Sequence, residues 1–299
     1  MNDLAPFLEA AVRTATPLLI AAMGEAIAER AGAINLGLEG CIIIGAYVGF
    51  ALGATSTGGY AAAMLAGAGV GLVFAAFAVF LRRDQIIVGT ALTMLGLGLT
   101  GTMFRARDAG LKALVDTDPV LRIPVLSEIP VIGSALFAQP MVTYVAVALV
   151  PLAWWVLHRT QVGLALRAVG EAPEAARAAG VRAKTIQASA VIVGSAFGGL
   201  AGAALVLAQA GAFAEGMSAG RGFLAIAIVA LGRWRPIGVA LAALVFGAAM
   251  ALQFVVQAFG WTVRYELVLM IPYLLTHVAR VTFGKGSAPA MQGRPLDER

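Results

Sequence analysis

The side chains able to do chemistry in this 299-residue chain are few, so their spacing carries most of the information. The two histidines, His158 and His277, stand far apart near the ends of apolar runs, too sparse for a metal cluster, and no metal site is expected. Ser195 with His277 is the one nucleophile–base pairing to weigh, yet nothing around Ser195 reads Gly-x-Ser-x-Gly. The phosphate-binding pattern Gly-x-x-x-x-Gly-Lys-Ser/Thr is also missing. Lys285 follows Gly284, but Gly286 replaces the hydroxyl residue and position 279 is Ala. Catalytic residues are therefore not expected, and any ATP that drives this protein is bound by another chain.

Two segments hold polar groups in informative places. The first runs from Gly24 to Gly40 and contains Glu25, Glu29, Arg30, Asn35 and Glu39. An ionisable group within a membrane span costs roughly 2.5–3.5 kcal/mol on insertion scales, which makes each a functional candidate. Glu29 and Arg30 fall at a turn, where a salt bridge explains them. Glu39 lies inside an apolar run between Gly37 and Gly40, where a broken helix can expose backbone groups to a water-filled path. Two readings stay open: Glu39 pairs with Arg30 or caps a neighbouring helix end, or Asn35 and Glu39 line a route for a polar solute.

The second segment is Gly163 to Lys184. Pro173 suits the first turn of a helix, Glu171 and Glu174 its positive end, Gly180 its stop, and Arg182 with Lys184 its negative end. Residues 174–179 then form a helix of about two turns, ~10 Å long. It is too polar to span, and its alanines let it seat closely in a partner's groove; an ordinary loop helix is the alternative.

The elements that position these residues are membrane helices. Hydrophobic residues make up 60% of the chain and charged ones 12%, with a mean hydropathy of +0.89, which excludes a cytosolic enzyme. Apolar runs mark spans at Phe7–Ile27, Ile34–Leu52, Tyr60–Leu81, Ile86–Met103, Val142–Leu157, Ile186–Ala212, Ile237–Phe259 and Tyr265–Val281. Gly222–Leu231 is too short to cross alone and reads as a half-helix or re-entrant element. The expected architecture is all-α, a polytopic bundle of eight or nine spans within residues 1–283. Glycines four apart (Gly45, Gly49, Gly53; Gly67, Gly71; Gly194, Gly198, Gly202) line helix faces that let backbones approach closely. The single Cys41 sits in an apolar block and reads as a buried thiol.

Charge sets the orientation. The net charge of +5 is dispersed between apolar blocks rather than gathered on one face, which argues for membrane topology and against nucleic acid. Arg82 with Arg83, the bases of 158–184, Arg233 with Arg235, and the tail share one side if Gly222–Leu231 connects the two faces; that side is expected to be cytoplasmic. The N-terminus then falls outside. Its first residues lack the positive region of a cleaved signal, so the first apolar run is taken as part of the mature protein. Residues 104–140, with balanced charge and Pro119, Pro124 and Pro130, are expected to lie on the outer face as an interfacial or short helical element. Residues 284–299 are expected to be a disordered cytoplasmic tail.

The two segments together resemble the permease subunits of bacterial ATP-binding-cassette importers of the branched-chain amino acid, simple sugar and nucleoside group. Gly170-Glu171-Ala172-Pro173-Glu174-Ala175-Ala176-Arg177-Ala178-Ala179-Gly180-Val181 is similar to that family's Gly-x-Asn-Pro-x-Ala-Ala-x-x-Ala-Gly-Ile coupling motif, with Ala172 in place of the Asn. Ala31-Gly32-Ala33-Ile34-Asn35-Leu36-Gly37-Leu38-Glu39-Gly40 resembles the nucleoside branch most closely, and Gly232-Arg233-Trp234-Arg235-Pro236-Ile237-Gly238 resembles a cytoplasmic turn of the family. The likeness spans roughly Phe7 to Val281.

The resemblance implies a multi-pass protein of the bacterial inner membrane that binds no cofactor itself. It implies a second permease forming a heterodimer with this one, two ATPase subunits holding ATP and Mg, and an extracytoplasmic solute-binding protein. It also implies coupling through Gly170, Pro173, Ala175, Ala176, Ala179 and Gly180. Few charges lie within the spans, so a neutral solute is favoured: nucleosides first, simple sugars second, branched-chain amino acids third. The rival class is a secondary transporter or facilitator, which tends to place several ionisable groups at mid-membrane, where only Glu39, Glu25 and Glu266 qualify here.

Overall fold

In lipid a backbone can satisfy its polar groups only within itself or against neighbouring protein, so long apolar stretches become helices. The computed structural model describes residues 4–53, 56–107, 115–130, 132–258, 270, 274 and 288–294. Among them α1 (Leu4–Arg30), α2 (Leu38–Leu52), α3 (Ser56–Phe74), α4 (Gln85–Arg107), α5 (Ile132–Phe137), α6 (Met141–Arg159), α7 (Gln161–Glu171), α8 (Pro173–Ala178), α9 (Ala183–Leu205), α10 (Arg221–Leu231) and α11 (Pro236–Ala258) follow in order. π-helical turns extend α3 over Ala75–Phe80 and α9 over Val206–Ala210. Five of these helices are long and apolar enough to cross a membrane, and α2, α10 and α11 add shorter apolar stretches. The expected span Tyr265–Val281 lies outside the described residues, apart from Met270 and Leu274.

α9 is the central post, packed on α1, α2 and α3. Glycine makes this possible. A Cβ built on Gly194 would stand 2.7 Å from the Gly24 carbonyl oxygen of α1, and one on Gly202 would overlap the Ile42 carbonyl oxygen of α2. Without a hydrophobic force between helices in lipid, such close contact is what holds them. Around this post Leu18, Ile20, Met23, Ile42, Leu224, Ile228 and Phe246 form a core shared by α1, α2, α10 and α11.

Three features depart from the sequence expectations. The second helix starts at Leu38 rather than Ile34, leaving 31–37 without helix. Among the described residues of 104–140, a 3-10 turn and α5 are the short helical elements expected, but the strand pair is not: Val120–Arg122 (β1) pairs antiparallel with Ala138–Pro140 (β2), with Leu121 opposite Gln139. Within the tail expected to be disordered, residues 288–294 form a turn bonded to the body, as described below.

Candidate functional site

The N–H groups of Ala31, Gly32 and Ala33 turn back onto the Ala28 and Glu29 carbonyls at the end of α1, and beyond them the stretch to residue 37 needs other groups to satisfy its backbone. Asn35 N–H donates to Glu25 Oε1 at 2.9 Å, and Ile34 N–H to Gln85 Oε1 at 2.8 Å. Thr93 Oγ1 donates to the Leu36 carbonyl at 3.1 Å, and Gln187 Nε2 to the Ala31 carbonyl at 3.2 Å. The Asn35 side chain closes a local turn by accepting from Gly37 N–H at 3.0 Å and donates through Nδ2 to Ser195 Oγ at 2.9 Å. α1, α4 and α9 thus each contribute a side chain to an unwound segment enclosed by protein, the setting in which irregular backbone is tolerated at membrane depth.

Glu39 is buried in the first turn of α2 and faces the start of α10. Its Oε1 accepts from Gly220 N–H at 2.8 Å and its Oε2 from Gly222 N–H at 2.7 Å. A carboxylate on the free amides of a helix N-terminus satisfies two orphan donors and meets the positive end of the dipole. A Cβ on Gly222 would lie 2.5 Å from Glu39 N, so glycine is needed for the approach. Of the two readings left open by the sequence, the geometry has Glu39 capping a neighbouring helix; it does not pair with Arg30. Asn35 is likewise buried and bonded to protein.

Arg30 and Glu29 serve a different contact. Arg30 Nε donates to the Trp234 carbonyl at 3.0 Å, and Trp234 Nε1 donates to Glu29 Oε2 at 2.5 Å. The expected Glu29–Arg30 salt bridge is replaced by a clamp on the turn 232–235 between α10 and α11. α10 is therefore held at both ends, by Glu39 at its start and by the end of α1 at its finish.

The coupling segment is two helices where sequence suggested one. Thr160 caps α7 by accepting from Gly163 N–H at 3.1 Å, and Ala172, at φ −148°, breaks the chain before Pro173 opens α8. Gly180, at φ +83°, ends the segment in a conformation that L side chains rarely adopt. Gly170 lies against the end of α1, where a Cβ would overlap the Arg30 carbonyl oxygen. Among the residues assigned to coupling, Ala175, Ala179 and Gly180 are exposed, whereas Pro173 and Ala176 are buried, Ala176 packing with Val169 and Ala183. Ala176 therefore does not belong to an exposed docking face; with 3.6 residues per turn, one side of this short helix must cover α7 and α9.

The turn 288–294 straps this region together. Met291 N–H donates to the Gly170 carbonyl at 3.0 Å and Gly293 N–H to the Gly32 carbonyl at 3.1 Å. Gln292 Nε2 donates to Glu29 Oε2 at 2.6 Å, and Gln85 Nε2 reaches the Arg294 carbonyl at 3.4 Å. Sequence reasoning missed this strap because the tail from Gly284 onward, with Gly, Ser, Pro and mixed charge, carries no apolar periodicity.

Comparison with known proteins adds an independent finding. The family model described as branched-chain amino acid transport system, permease component, matches residues 7–278. A protein of Haloferax volcanii named as a candidate glucose ABC transporter permease is 39% identical over 85% of this chain and 78% of its own. The guanosine ABC transporter permease protein NupQ of Bacillus subtilis is 37% identical over 94% of this chain and 93% of its own. The nucleoside ABC transporter permease protein NupC of Lactococcus lactis is 32% identical over 93% and 92%. No solved structure matches.

Proposed function

Because the chain belongs to the permease components of branched-chain amino acid type transport systems, a family of ABC transporter subunits, we propose that it carries nucleosides inward through the membrane. Both near full-length relatives named above for a nucleoside or guanosine support that solute, and the relative named for glucose supports simple sugars as the second reading. The observation that carries the mechanism is the placement of α10: a half-length helix whose first amides are held by a buried carboxylate beside an unwound segment. A half-helix pinned in this way can shift as a unit beside an unwound segment, and discontinuous helices of this kind recur in transporters.

In this reading the end bearing Arg30, Arg82 and the α7–α8 pair faces the cytoplasm, following the bias of basic residues. The N-terminus lies outside. The exposed alanines Ala175 and Ala179 meet an ATPase subunit, which binds ATP and Mg. A second, non-identical permease completes the membrane pair, and an extracytoplasmic binding protein delivers the solute. Closure of the ATPases moves α8 and α7. Gly170 passes that motion to the end of α1, the Glu29–Arg30 clamp passes it to the Trp234 turn, and α10 moves as a rigid body against Glu39. Asn35 and Glu39 act as positioning residues for the path.

The test is reconstitution of the permease pair, ATPases and binding protein in vesicles, followed by uptake of labelled nucleosides, hexoses and branched-chain amino acids. ATP-dependent nucleoside uptake is expected. Uptake by vesicles holding only this chain, without ATP, would overturn the reading in favour of a facilitator.

A further inference from the structure

α6 ends in a cluster of side chains that neither the path nor the coupling contacts use. Trp154 and Trp155 are both exposed, although neighbours on a helix with 3.6 residues per turn point about 100° apart, so a wide face of this end is turned outward. His158 and Arg159, in the last turn, are exposed as well. These groups are ordered against one another. The His158 ring stacks on Trp154 with centroids 5.5 Å apart and 23° between planes, and the Arg159 guanidinium carbon lies 5.9 Å from the centre of the Trp154 ring. An aromatic face holds a guanidinium in place without neutralising it.

Nothing acidic answers that charge. The chain has no Asp or Glu between Glu128 and Glu171, and Arg159 makes no salt bridge among the described residues. His158 Nδ1–H donates to the Trp154 carbonyl at 2.9 Å, which leaves Nε2 as the ring nitrogen for an outside partner. The negative end of the α6 dipole favours cations here, but it does not account for two adjacent tryptophans facing out. Beyond the charges the apolar surface continues onto α7, where Val162 and Leu164 are exposed while Gly163 and Leu166 face the protein.

A ligand for this corner needs an anionic head for Arg159 and His158 and an apolar body for Trp155 and Val162. A soluble phosphate supplies only the first, and a neutral lipid only the second. Tryptophan at the edge of the hydrocarbon with basic residues beside it is the setting in which charged headgroups are held. We propose that the α6–α7 corner binds an anionic phospholipid, with its phosphate on Arg159 and His158 and its glycerol and upper acyl region against Trp155 and Val162. The proposal rests on α6 being a membrane span and not on the solute, so it stands or falls apart from the nucleoside reading.

The test uses the whole transporter in phosphatidylcholine vesicles carrying a trace of photoactivatable phosphatidylglycerol or, separately, of photoactivatable phosphatidylcholine, with the labelled peptides then mapped. Residues 154–164 are expected to be labelled about fivefold more by the anionic probe, the effect of one basic residue near a charged headgroup. Arg159→Gln is expected to remove that difference, and added glycerol phosphate to leave it unchanged. Equal labelling of the wild type by the two probes would reduce the corner to ordinary boundary lipid and overturn the proposal, as would an Arg159→Gln variant that keeps the preference. Competition by glycerol phosphate would overturn it in favour of a soluble phosphate ester. Absence of labelling by either probe would also overturn it, and a cross-link from Val162→Cys to an ATPase or to the second permease would then identify the corner as a subunit contact. Should Arg159→Gln fail to assemble, Trp154→Leu, which removes the stack that holds the guanidinium, decides by whether the preference for the anionic probe falls.

Discussion

Glu39 shows how one side chain can look like a path residue in sequence and act as a fastener in the fold. Both of its oxygens are taken by amides two residues apart at the start of α10. Glu39→Gln keeps the shape but presents an NH2 group to one of those N–H donors and removes the negative charge behind Arg221. Loss of a hydrogen bond to a charged group costs about 1.5–3 kcal/mol. The expected result is uptake reduced about tenfold or more, with the subunits still co-purifying. Wild-type uptake by Glu39→Gln would show that the cap is dispensable. Asn35 is placed similarly: Asn35→Ala removes both the turn bond to Gly37 and the bond to Ser195, so a lower melting temperature in detergent is expected, by the loss of two buried hydrogen bonds worth about 1 kcal/mol each.

At the scale of elements, composition and periodicity revealed the long helices, because lipid leaves an apolar run few alternatives. They did not reveal where α2 begins. The backbone of 31–37 is satisfied partly nearby, by Glu25, Asn35 and the carbonyls of Ala28 and Glu29, and partly by Gln85, Thr93 and Gln187 far along the chain, so the local sequence holds only part of the cause of the break. The same limit applies to α8. Its run of alanines has no apolar contrast, and only packing against Val169 and Ala183 decides that Ala176 faces inward while Ala175 and Ala179 face out. This division separates two substitutions that sequence alone would group. Ala179→Trp is expected to leave the melting temperature unchanged and abolish ATPase association and uptake. Ala176→Trp forces an indole into a filled contact and is expected to destabilise the protein by about 1–3 kcal/mol, seen as a lower melting temperature. Equal melting temperatures for the two variants would contradict the buried placement of Ala176.

For the whole molecule, the scarcity of charge takes on structural meaning once the contacts are known. Among the described residues the buried acids are each committed to a junction: Glu25 to the unwound segment, Glu29 to the Trp234 turn, Glu39 to α10. The Glu29 and Glu39 junctions lie along the route proposed above for a movement of α7 to reach the half-helix. The strap 288–294 crosses that route, joining Gly170 of α7 to Gly32 and Glu29 at the end of α1. Protection from hydrogen exchange follows local stability, so the strap's contribution is measurable where it binds. Truncation after residue 287 removes the acceptor-matched Gln292 and the two backbone bonds of Met291 and Gly293. Faster exchange is expected across α7 and residues 29–37, with the amides of α9 from Gly194 onward unaffected because that part is held by close packing on α1, α2 and α3. Unchanged exchange at α7 would mean that Gly170 is held by the Arg30 contact alone; faster exchange confined to those junctions would make the strap part of the linkage between the coupling helices and the membrane core.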